Sequence, residues 1–143
     1  MVKIKRTIHI DAPVEKVFEF ANVPENLPEI WPSMVKVDNV KRSTTQGRDY
    51  DWQYKMAGML FKGHSKTTEF VPNDLVVVEN KEGIPSKFVW DYHAENGGTE
   101  LELEVEYTVP VPLLGKVAEK LVRRINENEA DVMLANLKAA MEL

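Results

Sequence analysis

The chain has 143 residues, enough for one domain over 1–143 that buries roughly two thirds of its unfolded surface. Its 18 basic and 23 acidic residues leave a net charge of -5, which argues against a nucleic-acid partner held by bulk electrostatics. The absence of cysteine excludes disulfides and thiol chemistry and makes a reducing cytoplasm the expected location.

Met1 to Arg6 is basic, but no apolar run follows it, so no secretion signal is expected, and no stretch reaches membrane-span length without charges. Ile4, Ile8 and Ile10 alternate along a first strand, Val2 to Ile10. Asp11 or Ala12 is expected to cap a short helix. Pro13 stands in its first turn, Glu15 near its N-terminus, and Val14, Val17, Phe18 and Ala21 on its buried face. Pro24 and Pro28 bracket a second short helix that ends near Ile30 and Trp31.

Six further strands are predicted: Val35 to Lys41, Arg48 to Met56, Leu60 to Val71, Leu75 to Asn80, Lys87 to Ala94 and Thr99 to Val109. Turn residues join them at Gly47, Ala57-Gly58, Pro72-Asn73-Asp74, Glu82-Gly83 and Asn96-Gly97-Gly98, and connections this short predict a meander. The last strand puts Leu101, Leu103, Val105, Tyr107 and Val109 on one face and Glu100, Glu102, Glu104 and Glu106 on the other, so one side is wet. Pro110 and Pro112 end it. From Leu113 to Leu143 there is no proline, and Leu114, Val117, Leu121, Ile125, Val132 and Ala140 form an apolar arc at helical spacing. That predicts a helix of about 45 Å, long enough to lie across a curved sheet and leave a cavity where it does not fill the space.

Three blocks, IHIDAPVEKVFEFANVPENLPEIWPSM, GTELELEVEYTVPVPLLGKV and ANLKAAMEL, resemble the START/polyketide-cyclase superfamily, also called SRPBCC. It takes in polyketide cyclase/dehydrase and lipid-transport proteins and relatives of the birch-pollen allergen. The resemblance covers nearly the whole chain and implies an α+β helix-grip fold. In that fold a seven-stranded antiparallel curved sheet surrounds a long C-terminal helix, two short helices lie between strands 1 and 2, and an apolar cavity lies between sheet and helix. Such folds host lipid carriers, quinone-binding proteins, hormone receptors, aromatase/cyclases and co-chaperones, and the matching blocks name no reaction.

The residues themselves say where a ligand would sit. Tyr50, Trp52, Tyr54 and Met56 share one strand face, and Phe88, Trp90, Tyr92 and Ala94 share another. With Leu103, Val105 and Tyr107 they would make an aromatic concave wall. Each one alone is an ordinary core residue; together they favour a cavity, because Tyr and Trp carry polar tips that a ligand site can use. On the helix, Ile125 and Val132 would face the same space, with Glu129 and Asn136 in the middle of the arc. Glu129 either reaches solvent or a salt bridge, or it anchors ligand and is the candidate proton-transfer group, with a pKa raised by desolvation. His64 is expected in solvent, although its face is not settled by alternation; His9 and His93 are expected outside. No metal-ligand spacing, phosphate loop or nucleophilic triad is present, so no metal and no cofactor are expected.

Meander parity gathers Ala57-Gly58-Met59, Gly83-Ile84-Pro85 and Pro110 to Leu114 at one end of the sheet. These tips are apolar and the opposite set is polar. Met59, Ile84, Leu113 and Leu114 either plug the domain's own end or form a greasy mouth for ligand entry or transient membrane or protein contact. The expected function is binding of a small hydrophobic or aromatic ligand, such as a lipid, isoprenoid or polyketide, by a carrier or sensor. The alternatives are a polyketide cyclase or dehydratase and a co-chaperone-like docking module.

Overall fold

The computed structural model describes residues 1–43, 47–110 and 119–143. The elements run β1 (Val2–Ile10), α1 (Val14–Ala21), a single 3-10 turn (Pro24–Asn26), α2 (Leu27–Ile30), β2 (Met34–Ser43), β3 (Gly47–Met56), β4 (Met59–Val71), β5 (Leu75–Asn80), β6 (Ser86–Glu95), β7 (Gly98–Tyr107) and α3 (Glu119–Met141). The seven strands make one antiparallel sheet in the order β1-β7-β6-β5-β4-β3-β2. Only β1 and β7 are neighbours through a non-sequential pairing; the rest is a meander, as the short turns dictate.

The two-residue turns explain themselves through backbone conformation. Asn96 and Gly97 both have positive φ, 51° and 81°, which asparagine and glycine tolerate and which matches the twist of a tight hairpin. Ala57-Gly58 repeats this with φ of 50° and 81°, so a β-carbon is held in the left-handed region between β3 and β4. In α1 the cap is Pro13, one or two residues later than Asp11 or Ala12, and it makes no side-chain capping bond. The last strand ends at Tyr107 rather than at Val109, although Val109 is still buried.

The phase of α3 differs from the predicted arc. The helix buries Val122, Asn126, Ala130, Met133, Leu134, Leu137 and Met141, while Leu121 is 50% exposed and Ile125, Val132 and Ala140 are only half-buried. The face is thus turned by one residue, about 100° of helix rotation. Its N-terminal part carries asparagine and alanine where a solid core would carry leucine. Small and polar residues there leave room between helix and sheet, and that is why an apolar-arc reading missed them. Of the predicted early helix, Leu114 and Val117 lie outside the described residues.

Polar bonds seat α3 across the gap between the two edge strands. On the β1 side, Arg6 donates from Nε to Asp131 at 2.7 Å and from Nη2 to Glu127 at 3.0 Å. On the β2 side, the backbone N–H of Ser33 donates to Glu129 Oε1 at 2.8 Å and Asn136 Nδ2 donates to the Ile30 carbonyl at 2.9 Å. The helix end is tied down by Lys16 Nζ on the Met141 carbonyl and by the Asp11 N–H on Glu142.

Candidate functional site

Alternation on β3, β6 and β7 turns one side chain in two toward α3. The space so enclosed is lined by Tyr50, Trp52, Tyr54 and Met56 from β3, Phe88, Trp90 and Tyr92 from β6, and Leu103, Val105 and Tyr107 from β7. Trp31 and Met34 close it from the α2–β2 junction, and Asn126, Glu129, Ala130 and Met133 face it from α3. Its volume is about 110 Å³ counted as room for the centres of water-sized molecules. Of the residues predicted to line it, Trp52, Tyr54, Trp90, Tyr92, Val105, Tyr107 and Glu129 do so. Ile125 and Val132 do not, because the helix is turned by one residue, and Asn126 and Met133 take their places. Ala94 lies exposed beyond the wall, near the β6–β7 turn.

Packing fixes the rings. Phe18 of α1 meets Tyr92 edge-on at 5.0 Å, and Trp31 meets Tyr54 at 5.4 Å and Phe88 at 5.6 Å. Trp31 Nε1 is, among the described residues, the one buried side-chain polar atom without a hydrogen-bond partner. The neighbouring Tyr54 hydroxyl is raised in pKa chiefly by burial, with Trp31 acting in the opposite direction.

A polar row crosses four strands beneath the rings. Asn80 Oδ1 accepts from Trp52 Nε1 at 3.0 Å and from Ser65 Oγ at 2.5 Å. Its Nδ2 donates to Ser86 Oγ at 2.9 Å, and Ser86 in turn donates to the Ile84 carbonyl at 2.8 Å. Asn126 Nδ2 likewise donates to the Tyr107 hydroxyl at 2.9 Å. Burial is what these bonds answer: an unpaired donor in such a place costs about 1–3 kcal/mol. Sequence reasoning missed Ser65, Asn80, Ser86 and Asn126. The available signal was a lone asparagine closing the apolar strand Leu75–Asn80.

Burial is also the largest influence on the tyrosines. It pushes the hydroxyls of Tyr50, Tyr54, Tyr92 and Tyr107 up from the ordinary tyrosine value, only partly offset by Ser65, Trp31, Asn22 and Asn126 respectively. At neutral pH they are neutral hydroxyls that hold their protons more firmly than a tyrosine in water. Glu129, the candidate proton-transfer residue, lines the cavity, but one of its oxygens is committed to the Ser33 N–H.

Of the four residues predicted at the mouth, Met59 and Ile84 lie among the described residues. Ile84 is 7% exposed and lines the cavity. Met59 is half-buried against the core and is not part of the lining. Leu113 and Leu114 lie outside the described residues. The Thr108 N–H donates to the Pro85 carbonyl at 3.0 Å, which brings the loop before β6 beside the stretch that follows β7; of the predicted tip Pro110 to Leu114, residues 111–114 lie outside the described residues. All three histidines are exposed on the outer face, each beside a carboxylate: His9 with Asp11, His64 with Asp51 and His93 with Asp91. Among the described residues no group of three or more histidines and carboxylates is arranged to hold a metal, and no helix is long and apolar enough to cross a membrane.

Comparison with known proteins agrees with this architecture. TTHA0849 from Thermus thermophilus superposes with a TM-score of 0.83 at 20% identity, over 96% of this chain and 95% of that one. The Zhui aromatase/cyclase from Streptomyces sp. R1128 gives 0.79 at 16% identity over 99% and 93% of the two chains. A START superfamily protein from Mycobacterium smegmatis gives 0.78 at 13% identity over 98% and 97%. Identities this low establish the shared helix-grip fold and no common activity. No curated protein sequence matches the chain. A family model does, from residue 1 to residue 142, and by that match the chain belongs to the polyketide cyclase/dehydrase and lipid transport family.

Proposed function

We propose that this protein binds one small hydrophobic or aromatic molecule, such as a lipid, isoprenoid or polyketide, in the cavity between sheet and α3, as a carrier or sensor. The observation that carries the reading is the lining itself. Aromatic rings and aliphatic side chains face the space, while the polar row of Ser65, Asn80 and Ser86 is satisfied internally. A ligand would gain roughly 25 cal/mol for each Å² of apolar surface buried, before the entropy cost of binding. A carrier or sensor is preferred to a cyclase or dehydratase because the tyrosines hold their protons and Glu129 spends one oxygen on backbone. A cytoplasmic setting belongs to the same proposal.

Native mass spectrometry of protein purified under gentle conditions tests it. The expected result is a fraction of chains carrying one apolar small molecule, released on denaturation. Bare protein that also takes up no added apolar probe would end the ligand-binding reading, and a stoichiometric protein partner in its place would favour a docking module.

A further inference from the structure

We infer that Trp31 Nε1 is the donor that orients the bound molecule, and that this molecule is a neutral apolar carbonyl compound whose oxygen accepts from it; the inference rests on the ligand-binding reading above. Trp31 lines the cavity, and its Nε1 is buried without a hydrogen-bond partner. An indole N–H can only donate, so it is satisfied by an acceptor brought to it and by nothing else. Trp52 in the same lining shows the ordinary solution, since its Nε1 donates to Asn80 at 3.0 Å.

The Trp31 indole is held in place rather than left to find a partner by turning. Its ring lies edge-on to Tyr54 at 5.4 Å and to Phe88 at 5.6 Å. Its backbone N–H donates to the Leu27 carbonyl at 2.9 Å, and its carbonyl accepts from the Met34 N–H at 3.0 Å. On either side the chain is tied to α3, by Asn136 Nδ2 on the Ile30 carbonyl and by the Ser33 N–H on Glu129. A donor left unpaired while its surroundings are fixed from so many sides, in a wall that faces the cavity, is a feature the fold maintains. An oxygen of the ligand is the group that answers it.

The neighbours limit which oxygen. Glu129 lines the cavity, and its charge acts on the Tyr54 hydroxyl. A carboxylate or phosphate head at Trp31 would therefore meet like charge. A ketone or ester oxygen carries no charge and brings no proton that needs a place. The Tyr54 hydroxyl, which burial keeps protonated, is a second donor at this end of the cavity. The apolar body of the molecule then lies along Phe88, Trp90 and Leu103.

The test compares 2-acetylnaphthalene with 2-isopropenylnaphthalene, in which a CH2 group replaces the carbonyl oxygen. Each is used to displace N-phenyl-1-naphthylamine, a neutral fluorescent probe, and the readout is the ratio of free displacing concentrations, alkene over ketone. The two compounds differ in their attraction to water by the same factor in every sample, so a change of ratio between variants reports the protein alone. The ratio is expected to fall about tenfold in Trp31→Phe. A second measurement needs no variant and decides even where Trp31→Phe does not fold. In the NMR spectrum of the native chain, the Trp31 indole N–H signal, assigned by through-bond correlation, should move to higher frequency with the ketone relative to the alkene. A ratio that survives Trp31→Phe, or a Trp31 signal that responds equally to both compounds, overturns the carbonyl assignment and leaves the cavity reading standing. Absence of probe uptake overturns both.

Discussion

Placing alanine at Gly63 is expected to destabilise the protein by about 3 kcal/mol and to weaken binding of an apolar probe by about tenfold. Gly63 pairs with Trp52 across the β3–β4 ladder, and the indole lies over the space where a side chain would stand. An added β-carbon would come within 2.2 Å of Trp52 Cζ2 and 2.6 Å of the Glu82 carbonyl oxygen. One of these is a ring held by Asn80 and the other is backbone, so neither yields cheaply. The loop that follows β5 lies just as close, since a β-carbon on Gly83 would meet the Lys62 carbonyl oxygen at 2.4 Å. Pushing the indole aside breaks its bond to Asn80 and leaves the N–H in an apolar wall. Urea unfolding, with tryptophan emission followed in the same samples, measures both effects. Native-like stability together with an unshifted emission maximum would mean that Trp52 does not lie where the account needs it.

A contrast between two neighbours on β7 separates structure from function. Leu101 is 0% exposed and is not part of the cavity lining; Leu103 is 1% exposed and is. Leu101→Ala opens a void in a solid part of the core, so a loss of about 3 kcal/mol is expected, or roughly 10 °C in the unfolding midpoint. Affinity for an apolar probe should stay within about twofold, because the ligand does not touch that side chain. Leu103→Ala merges its void with space already present. The expected outcome is a comparable or smaller stability loss and a change in probe affinity of fivefold or more, at roughly 1 kcal/mol. Thermal unfolding and probe titration on the same two variants check this. Equal effects of both substitutions on affinity would mean that the cavity is not the binding site.

How far the sequence could be read follows from how local each signal is. Alternation on β7 and the turns at Ala57-Gly58 and Asn96-Gly97 are local, and they set the strands, the meander and the aromatic faces of β3 and β6. The position of Trp52, Tyr54, Trp90, Tyr92, Val105 and Tyr107 in the lining follows from the same two-residue period. The phase of α3 is not local. It is decided by what the helix packs on, and a cavity inverts the usual rule by placing Asn126 and Ala130 inward and leaving Leu121 exposed. The polar row of Ser65, Asn80 and Ser86 depends on register across β4, β5 and β6, with Ser65 opposite Asn80 and Asn80 opposite Ser86. No single strand carries that information. Gly63 is similar, because its need to be glycine comes from Trp52 and Glu82 rather than from its own backbone.

The central claim is that one apolar ligand occupies the space between the sheet and α3. Ala130 faces that space from the helix, so Ala130→Phe fills it from one side and leaves the aromatic wall untouched. Titration with N-phenyl-1-naphthylamine measures the consequence directly. The account predicts saturable binding by the native chain at one probe per chain, with quenching of tryptophan emission, and near-complete loss of binding in a folded Ala130→Phe variant. Undiminished binding by that variant would contradict it.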